Sequence, residues 1–553
     1  MVDGAEQGTE SQMNEWNDTL TGACSLSGDY LWSNVNFGEA VTEVMTPLTW
    51  SVIRFTLDDW VFLPGMPTVG IIGGRPYLNI SIMATLFLGM GRSRQDLLDS
   101  LEATLYMRLP EEMAIPRVPV SRGTLLRGLW CALQVQLKQR RGIRNARAYV
   151  DCNKAWFQAT RQEIRSRDTA PGLRDLWESD MRSHIKAGVW CVLGSATHSA
   201  SYTHKLRRQL ADILGAEDAD VLIANLGQED LPLESLGPVA GLDKLARGEI
   251  SRAAYLESCG HRGPQEFELS VPRPAEDPAW LDRELERLRR DPVDVDGLVA
   301  EQRRAYAAAW DRLQRQASRD AKNLARAIVE SARRARLREL ARSAYVRDRW
   351  SIRLLAMRAG ELTGIGEQVF FLSLEELLAL LAGDQTVMEA VGPRREVYRQ
   401  YRALPAYPPV IRGPFDPFAW AADPDRPTDL YDSGRQASAR IEPDLVEGSP
   451  GSAGVVEGTV RVIGHPLDGD RLRAGEIMVA VQTDIAWTLL FPRAGAVVTD
   501  VGAPLSHAAI VARELGIPAV VGCGNATAVL KTGDRVRVNG GQGRVEILDR
   551  ANG

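Results

Sequence analysis

The chain has 553 residues, more than one hydrophobic core can use, so at least two domains are expected, with 44% apolar residues to fill them. A formal net charge of -6 excludes the basic footprint of a general nucleic-acid or membrane-surface binder. The six cysteines, Cys24, Cys131, Cys152, Cys191, Cys259 and Cys523, show neither Cys-x-x-Cys pairing nor regular spacing, so neither a disulfide scaffold nor a metal site is expected.

The first residues, Met1 to Asn14, are polar and lack the basic and apolar regions of a signal peptide. No run of about 20 apolar residues, the length that crosses a bilayer, is uninterrupted; the most apolar stretch, Gly70 to Gly91, is broken by Arg75, Pro76 and Asn79. A cytoplasmic protein without a membrane partner is expected. From Asn14 to about Ala382 apolar residues recur at three and four positions, which predicts a large, mainly α-helical domain over residues 1–415. Its clearest segment runs from Leu298 to Leu362 without proline, and without glycine before Gly360. It predicts one very long helix or two stacked ones. Asn36, Glu39, His261, Arg262 and Glu266 are polar residues set in this apolar background, so they must be hydrogen-bonded or line a cavity. Both readings stay open.

Between Pro405 and Pro450 the composition turns to Pro, Gly, Asp, Arg and Ser, and residues 416–451 read as a linker. The part from Phe415 to Trp420, which carries aromatics, fits an ordered strap as well. Beyond it come short β-rich runs at Val455-Val456, Val460–Ile463, Ile477–Ala480, Ala496–Val498, Ala519–Val521 and Arg535–Val538. A small α/β domain over 452–553 is predicted.

Within it, Thr499 and a turn containing Gly502 lead to Ser506-His507. Ser506 is placed to cap a helix whose first residue is His507, and Gly516-Ile517-Pro518 closes that helix. The imidazole then sits at the positive end of a helix. That position favours a neutral, nucleophilic ring and offers backbone N–H groups to a phosphoryl group.

This run, with Gly475–Val479, Thr483-Asp484, Trp487-Thr488 and the closing Gly533–Gly540, closely resembles the mobile phosphohistidine domain of phosphoenolpyruvate synthase, pyruvate phosphate dikinase and rifampicin phosphotransferase. The resemblance implies a swivelling domain in which His507 carries a phosphoryl group, supported by Ser506, Gly502 and Thr499, with the outer ring nitrogen as the reacting one. Ala503 and Ile485-Ala486 depart from the usual family residues. Upstream, Asn36–Ala40 with Thr46–Ser51, Gly74–Asn79, Gly260–Pro264 with Glu266, and Val369–Leu377 resemble the substrate-binding domain of rifampicin phosphotransferases. Relatives carry Arg, then Lys four residues on, facing the phosphohistidine. Here those positions are Ser343 and Arg347, with Arg342 beside the first, so Arg342 and Arg347 become candidate acceptor-binding residues with His261, Arg262, Glu266, Asn36 and Glu39. Arg358, three helical turns beyond Arg347, is a further candidate for that face.

Full-length relatives begin with an ATP-grasp domain, and nothing in this sequence resembles one. Three functions follow as expectations. In the first, a separate ATP-grasp subunit, using ATP and Mg2+, charges His507, which passes the phosphoryl group to a hydroxyl of a small-molecule acceptor. In the second, His507 is a general acid or base in an ATP-independent dehydration or cyclisation of a bulky metabolite. The third is a binding protein for a drug or natural product.

Overall fold

The structure is a computed structural model and describes residues 29–35, 41, 43–105, 113–224, 236–290, 292, 294–317, 320–434, 444–504 and 506–551. Four long helices build the first domain: α1 (Arg122–Ser166), α2 (Arg182–Leu214), α3 (Val295–Gln316) and α4 (Ala321–Thr363). Ser121 caps α1 by accepting from the Thr124 N–H, and Asp294 caps α3 through the Gly297 N–H. Gly364, at φ 76°, ends α4 in the left-handed conformation. The predicted segment Leu298 to Leu362 is therefore two helices rather than one. The first ends at Gln316 and the second begins at Ala321.

The helices α1, α2 and α4 pack side by side around Trp177, Met181, Ile185, Ile352 and Leu355, all nearly or fully buried. One buried carboxylate in this bundle is well paired. Asp348, fully buried, accepts from the Tyr149 hydroxyl (2.5 Å) and the Asn153 amide (2.7 Å), and lies 3.3 Å from His184 Nε2.

A five-stranded sheet in the order β2-β3-β1-β4-β5 also belongs to this half, joining β1 (Leu31–Ser33), β2 (Val69–Ile72), β3 (Arg75–Asn79), β4 (Val410–Arg412) and β5 (Leu430–Asp432). It is an addition to the mainly helical domain expected, and none of its strands was predicted. The alternation that marks a half-buried strand is missing, because β3 is buried on both faces. The predicted linker differs too: residues 417–422 form a helix, Trp420 is buried against Tyr407 and Phe415, and β5 pairs with β4. Apolar burial of the strap decides this, a contribution that composition does not carry.

The C-terminal domain is an eight-stranded sheet in the order β6-β13-β12-β8-β9-β10-β11-β7, from β6 (Leu445–Glu447) and β7 (Ser449–Ser452) to β8 (Val455–Val462), β9 (Ile477–Ala480), β10 (Ala496–Thr499), β11 (Ala519–Val521), β12 (Arg535–Asn539) and β13 (Arg544–Asp549). The strands β8, β9, β10 and β11 run parallel, and the three central ones, β9 to β11, are buried throughout. The histidine-bearing helix, α5 (His507–Leu515), is the crossover from β10 to β11. That puts His507 past the carboxyl end of a parallel strand, where α/β sheets place their sites.

The two halves share a core. Leu236, Val239 and Val295 of the helical domain cluster with Trp487, Leu490, Ala512 and Leu515. Polar contacts frame the seam: Asp470 pairs with Arg287 (3.0 Å) and Arg290 (2.5 Å), and Asp484 accepts from the Gln265 N–H (3.1 Å). Among the described residues no helix is long and apolar enough to cross a membrane.

Candidate active site

The Ser506 hydroxyl, buried, accepts from the Ala509 N–H at 3.2 Å, and Gly516 at φ 70° closes the helix, as the local sequence predicts. Gly502 adopts φ 151°, and a Cβ there would meet Thr499 Oγ1 at 3.1 Å and Ser506 Oγ at 3.4 Å. Thr499 is fully buried beneath the turn, and its hydroxyl has no hydrogen-bond partner among the described residues. These three residues shape the turn that presents His507.

Two threonines hold the ring. Thr488 Oγ1 lies 3.1 Å from Nε2 and Thr483 Oγ1 3.5 Å from Nδ1, while Phe491 meets the ring edge-on at 6.0 Å between centroids. The Thr488 hydroxyl has one proton and spends it on the Ile485 carbonyl at 2.8 Å, so Nε2–H must be the donor to Thr488. In this docked arrangement the lone pair of a neutral ring is on Nδ1. For Nε2 to react, the ring must leave Thr488.

Across the seam the imidazole faces charges from the helical domain. Burial, then Arg342 and Arg262, outweigh Glu339 and Glu266 and push the His507 pKa down to about 3. The ring is neutral at physiological pH. Glu266, buried, accepts from Arg262 Nε at 2.8 Å and from Arg342 Nε at 3.0 Å. Burial raises its pKa, yet the two guanidiniums prevail and hold the carboxyl below its ordinary value. Glu339 pairs with Arg338 at 2.9 Å and is likewise held low, with burial opposing.

The other predicted residues lie behind this cluster. His261 is buried with Nε2 2.7 Å from Ser343 Oγ, and burial, then Arg347 and Arg262, keep it neutral. Arg347 is half-buried; burial, then Arg262, lowers its pKa, and it makes no hydrogen bond among the described residues. Arg342, Arg262, Glu266, His261 and Arg347 thus converge from two separate segments, with the first three set around His507. Arg358 does not join them. It binds the Arg167 carbonyl at 3.0 Å and Asp168 at 3.1 Å, at the far end of α1. Asn36 and Glu39 lie outside the described residues.

Glu339, Thr483, Thr488 and Asp484 were not singled out as site residues. The two threonines flank Asp484 in a stretch already matched to the family, and Glu339 lies three residues before Arg342 on α4, so proximity to named residues was an available signal. Among the described residues no group of His, Cys, Asp and Glu is arranged to hold a metal ion.

A histidine on a helix start in a small parallel-sheet module, docked on a charged helical domain, is the central feature of the site. The chain carries a region, residues 472–543, matching the mobile domain of PEP-utilising enzymes and a region, residues 193–339, matching the fourth domain of rifampicin phosphotransferase. It is 33% identical over 395 residues to an uncharacterized protein of Mycobacterium tuberculosis, covering 67% of this chain and 42% of that one. It is 32% identical over 318 residues to the prodigiosin synthesizing transferase PigC of Serratia marcescens (54% of this chain, 34% of PigC) and 35% identical over 182 residues to rifampicin phosphotransferase of Bacillus cereus (33% and 19%). The chain spans less than half the length of these relatives.

Proposed function

We propose that this chain transfers a phosphoryl group from His507 to a hydroxyl of a small organic acceptor, and that an ATP-grasp partner, using ATP and Mg2+, loads the histidine. The observation that carries the reading is the placement of a neutral imidazole, at the start of α5, against Arg262 and Arg342 of the helical domain. In the transfer step the N–P bond breaks, the acceptor oxygen bonds to phosphorus, and the hydroxyl proton leaves to solvent or a base. The phosphoryl group brings close to two negative charges into a partly desolvated seam, where preorganised cations lower the barrier most. Arg262 and Arg342 are held in place by Glu266, and Arg347 stands behind them with its donors uncommitted among the described residues. That the matched region makes up less than half of each of these longer relatives supports a donor domain supplied from outside it. Loading requires the module to undock, because docking turns His507 toward the helical domain. The acid–base alternative fares worse: a ring with its pKa near 3 is a poor proton donor at neutral pH.

The test is incubation of the chain with ATP alone and with ATP plus a cognate ATP-grasp protein, followed by mass spectrometry under basic conditions. An acid-labile, base-stable phosphate on the peptide containing His507, present only with the partner and absent from His507→Ala, is expected. Full turnover of an identified substrate by His507→Ala would remove the proposal.

A further inference from the structure

The seam between the domains encloses a second feature, a cavity of about 400 Å³. One wall is helical-domain side chains, among them Arg75, Arg402 and Glu43; the other is C-terminal, with His465, Gln482 and Asp484. Arg75 is 8% exposed and its guanidinium lies 4.1 Å from the centre of the Tyr407 ring. Of its five N–H donors, Nη1 reaches the Pro405 carbonyl at 3.4 Å, the guanidinium also interacts with the Tyr407 hydroxyl, and Nε is buried with no hydrogen-bond partner among the described residues. The guanidinium pairs with no carboxylate among the described residues, so its charge at the cavity wall attracts an anion. Arg402 adds a second cation, tied to Glu43 by a loose 3.5 Å pair. The acidic side of the cavity is already engaged. Both Asp484 oxygens accept backbone N–H groups, from Gln265 at 3.1 Å and from Ala486 at 2.9 Å. The remaining donors therefore suit a negatively charged guest rather than a cation.

We propose that this cavity binds a small organic anion, a carboxylate or a phosphate ester, and that its occupation holds the C-terminal domain docked. The second half follows from the walls: residues of both domains touch the guest, so it binds the docked state better than the undocked one and shifts the population accordingly. The loop from Thr483 to Thr488 contributes Asp484 and Trp487 to the cavity and holds the His507 ring with its two threonines, so guest and imidazole share one support. The inference does not depend on phosphorylation of His507.

Isothermal titration calorimetry of the full chain with succinate and, separately, with inorganic phosphate tests it and distinguishes the carboxylate from the phosphate source. One saturable site for at least one of them is expected. Arg402→Gln should weaken binding about tenfold or more, and Ala406→Trp, at an exposed lining position, should abolish it by filling the space. The titration contains neither ATP nor an ATP-grasp protein, so its outcome is separate from failure of phosphotransfer. Small-angle scattering should show a smaller radius of gyration with the anion than without. Arg75→Gln is the weaker probe, since Arg75 also packs on Tyr407 and its loss would perturb the sheet. Absence of saturable binding of both anions, binding unchanged in both Arg402→Gln and Ala406→Trp, or an unchanged radius at saturation would overturn the proposal.

Discussion

At the scale of single residues, the site depends on one buried carboxylate. Glu266 accepts from both Arg262 and Arg342 and sets their guanidiniums beside His507. Replacing it by Gln leaves two cations with one neutral acceptor, and breaking buried ionic pairs of this kind costs roughly 3–5 kcal/mol. Glu266→Gln is therefore expected to lower the melting temperature by several degrees and to reduce phosphotransfer even where the protein folds. The pH dependence has a definite sign. The folded carboxyl is held below its ordinary value, so its stabilisation is complete above the unfolded pKa of about 4.3 and is lost as pH falls through the lower folded value. The difference between variant and wild type should shrink in acid; a constant difference down to pH 3, read by chemical denaturation, would contradict this assignment.

Among the elements, the crossing of α1 and α2 is set by glycine. A Cβ at Gly142 would lie 2.1 Å from the Trp190 carbonyl oxygen, and one at Gly194 would lie 2.5 Å from the Gln139 carbonyl oxygen. Both obstacles are backbone, so neither can rotate away. Gly142→Ala must push the helices apart and is expected to cost about 2–3 kcal/mol, against the roughly 1 kcal/mol that alanine usually gains over glycine in a helix. Gly123, also on α1, is the control: its Cβ would meet only Ser121 Oγ at 3.8 Å. Thermal melts should show Gly142→Ala well below the wild type and Gly123→Ala at or above it. At this scale the sequence was informative where order is local. The cap at Ser506, the stop at Gly516 and the six β-rich runs that became the five strands β8 to β12 were legible, because turn residues and β-branched runs carry their own conformational preference. The strands β6, β7 and β13 lay outside the predicted runs; β7, Ser449-Pro450-Gly451-Ser452, has no strand propensity and pairs because β11 offers an edge.

For the whole molecule the question is what docking costs the histidine. Undocked, the imidazole returns toward an ordinary pKa near 6.5; docked, it sits at about 3. A depressed docked value means that the contribution of the neutral ring is complete above about pH 6.5 and lost as pH falls toward 3, by about 2 kcal/mol at pH 5. Asp484 acts in the other direction. Its carboxyl is pushed up to about 6 by burial, so docking is disfavoured as pH rises through that range. Comparing wild type with His507→Gln isolates the imidazole. Between pH 7.5 and pH 5 the radius of gyration should grow more in the wild type than in the variant, and equal growth would show that the ring is not desolvated by docking.

The amino-acid sequence by itself determined the helix that presents His507, the turn before it, the β-rich character of the carrier module and the helical bulk of its companion, because each rests on contacts between residues close in the chain. Only the tertiary structure decided that Glu266 and Arg342, 76 positions apart, meet beside that histidine while Arg358, at the helical spacing expected of a site residue, turns to cap α1. The charge of a buried site is set by which distant groups share its desolvated space, and that sharing is a property of packing rather than of any local pattern.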